Sequence, residues 1–464
     1  MIIGHSATDR EKIRGIIKKR GFKVYFIGIG GISMSSIAEI SAMRGARVFG
    51  SDVRKNAATE KLENMGVRIK YTQARANVME SAADIAVYSL SITSDNPEYR
   101  AAMALGIPLV SRAEYLGALM DDYGVRIGVS GSHGKSTTTA MLGEIFRAVG
   151  ASPSVLCGAE ISSGTGYVRG ERDCLVYEAC EYGDSFLHFD PTVQIILNVD
   201  LDHTDYFSDI ERLGASFVKA ANRAEKFVLA NLDDANVRRI IPSIVAEKVT
   251  FSSERDADFR YKVLSVSNGR CTFGLSYGME NCSFSLKVPG RFNVENAVAA
   301  AAAALKLGVP QNTVADALSN FRGIPRRLEF LCKKRSADIY YDYAHHPSEI
   351  KATHTALCAM GYKKICAVFA PHTYSRTKSF LGDFAKALVG FNTVYVTDIY
   401  GARENAVVGI SSSLIADAVR DEGGLAYALV TEESIDKIFE DGYDCLVLMG
   451  AGELDKIKKK AEEL

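Results

Sequence analysis

The stretch "GVSGSHGKSTTT" (residues 128–139) decides the fold, because it joins an apolar strand to a helical run through a glycine-rich turn. Gly131 and Gly134 permit backbone angles that turn amides inward, Lys135 adds a cation, and Ser136 offers a hydroxyl to Mg²⁺. The longer phosphate-loop pattern, G-x-x-x-x-G-K-[ST], has glycine at the position that Val129 occupies in this chain. The stretch predicts a nucleotide-phosphate site, and the alternative is a plain glycine-rich turn.

Carboxylates follow two later strands of the same α/β series. Glu178 ends the strand in "DCLVYEACEYGD", and Asp200 follows the strand in "VQIILNVDLDHTDYF". Carboxyl ends of parallel strands meet at the ligand-binding edge of a sheet, so these acids predict a metal–nucleotide site. His203 is either a metal ligand or a structural histidine. The other acids of the two clusters are Glu181, Asp184, Asp202 and Asp205.

A further glycine cluster, "GIGGISMSS" (28–36), also lies between a strand and a helical run. Glycines there let the backbone approach a diphosphate at the positive end of a helix. Ser33 replaces the third glycine of G-x-G-x-x-G, and Asp52 ends the next strand, where a ribose-binding acid is expected. The cluster predicts a nicotinamide site, another nucleotide site or only a tight turn. Asp52 has a structural interpretation too, as a cap or a strand-end turn.

Short β-branched runs alternate with helical patterns along the chain, which is typical of α/β folds with parallel sheets. Three series predict a Rossmann-like N-terminal domain, a central P-loop ATPase-type domain and a Rossmann-like C-terminal domain. The central domain is expected to combine a parallel sheet with a small antiparallel sheet formed by "KVTFSS", "RYKVLSVSNGRCTFGLSY" and "CSFSLKVPG". The predicted domains are residues 1–122, 123–323 and 324–464, with hinges near 123 and 324.

Composition limits the partners. The formal charge of -1 provides no general attraction for nucleic acid or anionic membrane. No apolar run is long enough to cross a bilayer, and the N-terminus lacks the pattern of a secretory signal. The nine cysteines form no C-x-x-C pair, which favours reduced thiols over zinc ligands or disulfides. We expect a cytoplasmic protein.

Together these motifs resemble the Mur ligase family, whose shorter phosphate loop, G-[TS]-x-G-K-[TS]-T, is matched by "GSHGKST" (131–137). Further matching segments are "FIGIGGISMSSIAE", "SDNPEYRAAMALGIPLVSRAEYL", "EACEYGDSFLHFDP", "NVDLDHTDYF", "PGRFNVENAVAA", "GIPRRLEF", "YDYAHHPSEI" and "FAPHTYSRT". The last two are similar to members that attach L-alanine or an intact tripeptide to UDP-N-acetylmuramate. Cys180 departs from the family pattern, which commonly has aspartate there.

The resemblance implies that the first domain binds the UDP-sugar, the second binds ATP and Mg²⁺, and the third closes over them. The implied substrate-binding residues are Gly28, Gly30, Gly31, Ser33, Met34, Asp52, Tyr343, His345 and His372. The implied ATP-binding residues are Gly131, Ser132, His133, Gly134, Lys135, Ser136, Thr137, Asn293, Asn296, Arg327, Asp342 and Asp398. The implied metal ligands are Ser136, Glu178 and His203, and the implied catalytic residues are Lys135, His203, His346 and Arg376.

The reaction implied by the resemblance joins L-alanine to the lactyl carboxylate of UDP-N-acetylmuramate through an acyl phosphate, at the expense of ATP. Such a reaction depends on charge neutralisation and alignment. A base must take a proton from the amine, and His203 or the pair His345 and His346 are candidates. His346 has an alternative role as a helix cap, because Pro347 follows it. We expect a monomer or a homodimer.

Three alternatives stay open at this point. A recycling ligase that attaches an intact tripeptide shares the same chemistry and needs a larger acceptor pocket. A nicotinamide-dependent dehydrogenase rests on the first glycine cluster and leaves the phosphate loop unexplained. A non-catalytic nucleotide switch predicts ATP binding without sugar-dependent turnover.

Overall fold

The computed structural model describes residues 9–161, 165–204, 206–267, 269–402, 404–428, 438, 442–452 and 454–463. The chain divides into two compact units. The first comprises Met1–Asp200, Glu211–Asp258 and Ala299–Thr313, and the second comprises Leu201–Ile210, Phe259–Val298 and Val314–Leu464.

The first sheet of the first unit consists of five parallel strands: β1 Lys23–Ile27, β2 Arg47–Ser51, β3 Arg68–Lys70, β4 Ile85–Tyr88 and β5 Leu109–Ser111. Their spatial order is β3-β2-β1-β4-β5, so the winding reverses beside β1. Such a switch point opens a crevice at the carboxyl ends of the strands. The helices of this part are α1 Arg10–Ile17, α2 Ile32–Met43, α3 Ala57–Asn64, α4 Arg75–Ser81, α5 Pro97–Ala104 and α6 Arg112–Met120.

The second sheet of the first unit contains β6 Val125–Ser130, β7 Pro153–Leu156, β8 Tyr167–Val168, β9 Glu171–Glu178, β10 Val193–Ile196, β11 Phe227–Asn231 and β12 Lys248–Ser252. The order is β12-β11-β10-β6-β9-β7-β8, and only β8 is antiparallel to its neighbour among these described strands. β6 therefore lies between β9 and β10 at a second switch point. The helices here are α7 Lys135–Ala148, α8 Ile210–Ala221 and α9 Ala235–Ile240, with short 3₁₀ segments at Tyr182–His188 and Ile241–Ser243.

The N-terminal helix α1 ties these two sheets together. Ile13 and Ile16 are buried, at 1% and 9% exposure. The Arg10 guanidinium pairs with Asp121 after α6 and with Asp190 before β10. This N-terminal helix thus connects the first series of elements to the second.

The second unit contains an antiparallel meander of β13 Phe259–Ser267, β14 Arg270–Tyr277 and β15 Glu280–Leu286. Its main sheet contains β16 Glu329–Lys334, β17 Ala337–Asp342, β18 Ile365–Ala370, β19 Thr393–Val396, β20 Ala426–Ala428 and β21 Cys445–Gly450, in the order β16-β17-β21-β18-β19-β20. β16 is antiparallel and the other described pairings are parallel. Helices lying wholly or partly in this unit are α10 Arg291–Lys306, α11 Gln311–Asn320, α12 Pro347–Ala359, α13 Tyr374–Ser379, α14 Leu381–Leu388, α15 Ser412–Asp421 and α16 Asp455–Glu463.

Successive side chains along the strands of the main sheet belong to two hydrophobic cores in the second unit. Phe369 and Met449 belong to one apolar cluster, and their neighbours Val368 and Leu448 belong to another. Successive strand residues point to opposite faces, and both faces here are covered, so the strands are continuous apolar runs. Because of these apolar runs, the central strands could be predicted from the sequence.

The predicted α/β architecture is confirmed, as is the antiparallel pairing of β13, β14 and β15. The prediction for "KVTFSS" was wrong, because β12 pairs with β11 in parallel. A strand's own residues do not determine the direction of its partner, so tertiary pairing decided this point. No helix among the described residues combines the length and apolarity needed to cross a membrane.

Candidate active site

The loop from β6 to α7 has the backbone geometry of a phosphate-binding turn. Gly131 and Gly134 have φ values of +143° and +84°, a region that glycine tolerates and other residues avoid. A Cβ at Gly131 would lie 3.0 Å from Leu197 Cβ. The N-terminus of the 14-residue helix α7 follows directly and adds its positive end.

Residues after β10 hold this loop in place. The His133 amide donates to Asn198 Oδ1 at 2.8 Å, and Asn198 Nδ2 donates to the His133 carbonyl at 3.1 Å. The Ser132 hydroxyl donates to the Asp200 carbonyl at 2.7 Å. His133 Nε2 lies 3.2 Å from Asp200 Oδ2. Asn198 was missed in the sequence, where its only signal was its position at the end of a strand.

The ammonium group of Lys135 is held at the loop by Glu181. Lys135 Nζ lies 3.0 and 3.1 Å from the two Glu181 carboxylate oxygens, and Glu181 is 1% exposed. Burial by itself lowers the pKa of Lys135, but the nearby Glu181 and Glu178 outweigh it and raise that pKa above its ordinary value. Lys135 therefore carries its full charge at neutral pH.

Ser136 and Glu178 form an oxygen-rich pair beside Lys135. The Ser136 hydroxyl donates to Glu178 Oε2 at 2.8 Å, and the Gly158 amide donates to the same oxygen at 2.8 Å. The second oxygen, Oε1, accepts no hydrogen bond from the described residues. Hydroxyl and carboxylate oxygens are the ligands that Mg²⁺ prefers, so this part of the predicted metal site fits that ion. His203, the other predicted ligand, belongs to the second unit and stays a prediction.

Asp52 stabilises the first glycine turn by accepting hydrogen bonds from backbone amides. Asp52 Oδ2 accepts from the Gly30 amide at 2.8 Å, and Oδ1 accepts from the backbone amides that follow Asp52. A Cβ at Gly30 would lie 2.8 Å from Asp52 Oδ2, whereas one at Gly31 would meet nothing closer than 3.8 Å. Gly28 has a φ of +80°. The structural interpretation of Asp52 is confirmed, and its contact with a ribose stays a prediction.

Two further predicted residues of the first unit are buried. Met34, in the first turn of α2, is 3% exposed, and Thr137, in the first turn of α7, is 6% exposed. Both therefore support the helix start behind each glycine turn, and their ligand contacts stay predictions. Lys219 is exposed on α8.

A buried ion pair organises the candidate residues of the second unit. Arg376 Nη2 donates to Asp202 Oδ1 at 2.6 Å, and both residues are 7% exposed. Burial by itself raises the pKa of Asp202, but the Arg376 guanidinium outweighs it and holds that pKa well below its ordinary range. Asp202 Oδ1 also accepts from the His203 amide at 2.7 Å. Asp202, predicted among the acids near a metal, is therefore engaged by an arginine; Asp205 lies outside the described residues.

The predicted third-domain residues form an aromatic and cationic cluster. The Arg327 guanidinium lies 5.1 Å from the Tyr343 ring centroid, and the His345 ring lies 5.0 Å from that ring. The His345 and His372 rings are 5.9 Å apart, and His372 Nδ1 lies 3.0 Å from Arg376 Nη1. The structure thus brings these five residues together in one cluster.

The turn between β17 and α12 is built by Asp342 and His346. Buried Asp342 accepts from the Thr353 hydroxyl at 2.6 Å and from the Ala344 amide at 3.2 Å. Burial raises the pKa of Asp342 to about 6. His346 is the N-cap of α12, with its Nδ1 accepting from the Ser348 amide. The capping alternative for His346 is confirmed, while its catalytic role stays a prediction.

The predicted asparagine pair lies at the start of α10. Asn293 Nδ2 donates to the Pro289 carbonyl at 2.7 Å, and Asn296 Nδ2 donates to Asn293 Oδ1 at 3.3 Å. Both residues are buried, at 4% and 6% exposure. Asp398 is exposed after β19. Contacts of these three residues with a nucleotide stay predictions.

The chain matches three Mur ligase domain families in succession. "Mur ligase family, catalytic domain" matches residues 23–124, "Mur ligase middle domain" matches 129–304, and "Mur ligase, glutamate ligase domain" matches 326–452. These matches confirm the three-domain organisation. The domain boundaries predicted at residues 122 and 323 stay predictions.

Similar proteins agree with these matches. A UDP-N-acetylmuramate--L-alanine ligase of Caldicellulosiruptor bescii is 40% identical over 452 residues, covering 95% of this chain and 99% of that protein. The ligase of the same name from Alkaliphilus metalliredigens is 39% identical over 438 residues, covering 93% and 95%. The crystal structure of UDP-N-acetylmuramate-alanine ligase from Thermotoga maritima has a TM-score of 0.81 at 27% identity, covering 95% of this chain and 98% of that one.

A murein peptide ligase from Psychrobacter arcticus has a TM-score of 0.72 at 21% identity, covering 95% of this chain and 98% of that one, and shares the fold. The domain matches and the full-length relatives favour the ligase hypothesis over the dehydrogenase. The chain belongs to the Mur ligase family.

Proposed function

We propose that the chain is an ATP-dependent ligase that joins L-alanine to the lactyl carboxylate of UDP-N-acetylmuramate. The observation that carries the proposal is the short loop of Gly131 and Gly134, with Lys135 at its centre and the Ser136–Glu178 pair beside it. Full-length relatives at about 40% identity carry the name of this activity. The reaction belongs to the synthesis of peptidoglycan precursors.

The reaction has two covalent steps. A lactyl carboxylate oxygen attacks the γ-phosphorus of ATP, and the bond from that phosphorus to the bridging oxygen of ADP breaks. The amine nitrogen of L-alanine then attacks the acyl carbon, and the carbon–oxygen bond to phosphate breaks. Because the carboxylate and the γ-phosphate are both anions, fixed positive charge is the main requirement. Lys135 supplies such a charge at the loop.

Mg²⁺ is the proposed cofactor with ATP. Ser136 and Glu178 would hold it, because both present oxygen atoms and Glu178 Oε1 accepts no hydrogen bond from the described residues. When bound, the ion supplies charge neutralisation on the phosphates. His203 is the proposed ligand of a second ion.

Hydrogen bonding favours His345 as the base that deprotonates alanine's ammonium. His345 Nδ1 lies 2.9 Å from the Tyr343 carbonyl, an acceptor, so Nδ1 carries the proton and Nε2 has a free lone pair in the neutral ring. His346 Nδ1 accepts from the Ser348 amide, so the proton of its neutral ring is on Nε2. A ring nitrogen that carries a proton cannot accept another.

The test measures ADP formation with UDP-N-acetylmuramate and, in turn, L-alanine, glycine, L-serine or the L-Ala-γ-D-Glu-diaminopimelate tripeptide. We expect turnover with L-alanine, and turnover with the tripeptide alone would replace this proposal with the recycling reaction. Lys135→Ala is expected to lower kcat by a factor on the order of 10² to 10³ while UDP-sugar binding is retained. Lys226→Ala, which removes an exposed lysine of the same unit, is the matched control.

The cytoplasmic location and the monomeric or homodimeric state belong to this proposal too. The location rests on the composition and on the resemblance to the family, and the oligomeric state is an expectation that the sequence does not determine. Sedimentation of the purified chain, alone and with ATP, measures the oligomeric state.

A further inference from the structure

Arg112 is a cation for which the sequence indicated no role, and it lies beside the first glycine turn. It is the first residue of α6, directly after β5, in a helix whose start is fixed by a capping box between Ser111 and Glu114. Its Nη1 donates to the Ser33 hydroxyl at 2.8 Å. Ser33 lies in the first turn of α2, so the guanidinium is placed at the N-terminus of that helix.

The half-buried Arg112 has no carboxylate within 4 Å among the described residues, and its one hydrogen bond goes to a neutral hydroxyl. Other cations of the same unit are paired: Lys135 with Glu181 at 3.0 Å and Arg44 with Asp122 at 3.1 Å. Burial lowers the pKa of Arg112, and Cys180 and Glu178 only partly oppose this. A partly buried cation whose only described partner is a neutral hydroxyl favours the binding of an anion.

The N-terminus of α2, which lies beside Arg112, also favours a bound anion. The N-cap of the 12-residue helix α2 is Gly31, no side chain caps it, and its first turn contains no acidic residue. The free amides and the helix dipole therefore add positive potential next to the guanidinium. These two observations are independent of each other, and both indicate a bound anion.

The position of Arg112 identifies which anion. Arg112 lies beside the glycine turn, where the proposed function places the diphosphate, and the charge of Glu178 of the ATP site also acts on it. The reacting carboxylate of the sugar nucleotide has to reach from the first site to the second. A guanidinium offers paired donors that match a carboxylate.

We propose that Arg112 binds the lactyl carboxylate of the sugar nucleotide and holds it toward the γ-phosphate, with Ser33 orienting the guanidinium. This inference rests on the proposed function. Binding by Arg112 reduces the repulsion between two anions that must react. After phosphoryl transfer the same donors stay at the acyl oxygen, where negative charge develops when the amine attacks.

The test compares Arg112→Ala and Arg112→Lys with the control Arg100→Ala. Arg100 is an exposed arginine of the same domain, and it donates a hydrogen bond to the Ser94 carbonyl. Calorimetry measures the Kd of UDP-N-acetylmuramate, of UDP-N-acetylglucosamine, which has the diphosphate but no lactyl carboxylate, and of ATP. We expect Arg112→Ala to raise the Kd of UDP-N-acetylmuramate at least about tenfold. The Kd values of UDP-N-acetylglucosamine and ATP should stay within about twofold of those of the wild type. Unchanged ATP binding also shows that the variant is folded.

Kinetics give the second readout. We expect kcat/KM for UDP-N-acetylmuramate to fall by a factor on the order of 10² to 10³ in Arg112→Ala, with partial recovery on adding guanidinium. An equal loss for both sugar nucleotides would overturn the proposal, since it would place Arg112 at the diphosphate. An unchanged kcat/KM would overturn it as well. If the wild type binds UDP-N-acetylmuramate but fails to ligate L-alanine, the proposed function fails, while the carboxylate test still stands on the binding data.

Discussion

Asp342→Asn is expected to change how the stability of the protein depends on pH. Asp342 is 6% exposed at the end of β17, and burial raises its pKa to about 6 from its ordinary value of 3.8. The folded state therefore binds a proton more tightly than the unfolded state does. Stability from this group is fully present below pH 3.8 and is lost as the pH rises through 6.

The magnitude follows from these two pKa values. A difference of about 2.2 units, at 1.36 kcal/mol per unit, corresponds to about 3 kcal/mol between the acidic limit and pH 7, of which about 2 kcal/mol falls between pH 4.5 and 7. Asparagine has nearly the same shape, can still accept from the Thr353 hydroxyl, and does not titrate. The stability of the variant relative to the wild type should therefore rise by about 2 kcal/mol over that interval.

The assay is urea denaturation of both proteins at several pH values between 4.5 and 7, followed by tyrosine fluorescence. Asp316→Asn changes an exposed aspartate of the same unit and serves as the matched control. A stability difference between Asp342→Asn and the wild type that stays constant across this range would refute the reasoning. It would mean that Asp342 is not titrating against its buried surroundings.

Three further changes test other contacts. Asp202→Ala leaves the buried Arg376 guanidinium without its carboxylate, so it should lower the free energy of unfolding by about 3–5 kcal/mol in urea denaturation. A loss below about 1 kcal/mol would contradict the assigned ion pair. Gly131→Ala places a Cβ 3.0 Å from Leu197 Cβ at positive φ, which costs about 1–3 kcal/mol and should raise the Kd of ATP about 5- to 150-fold by calorimetry. Gly150→Ala, also at positive φ but with open space around it, should leave that Kd unchanged. Ile13→Ala should cost about 2–5 kcal/mol of unfolding free energy, and a neutral result would show that α1 does not anchor the first unit.

The sequence by itself determined the features that depend on neighbouring residues. Glycines at 131 and 134, followed by Lys135 and Ser136, predicted a tight turn into a helix, because those backbone angles and that helix start are local properties. Apolar runs such as β18 predicted buried parallel strands for the same reason. The position of Glu178 at the end of a strand was sufficient to place it near the loop.

The pairing of residues far apart in the chain required the tertiary structure. Lys135 and Glu181 are separated by 46 positions, Ser33 and Arg112 by 79, and Asp202 and Arg376 by 174. No local pattern shows which carboxylate neutralises which cation, since that depends on how strands order themselves in the sheets. The same applies to the direction of β12, which its neighbour in the sheet decides. Charge balance at the site is therefore a property of the fold, whereas the phosphate loop is a property of the sequence.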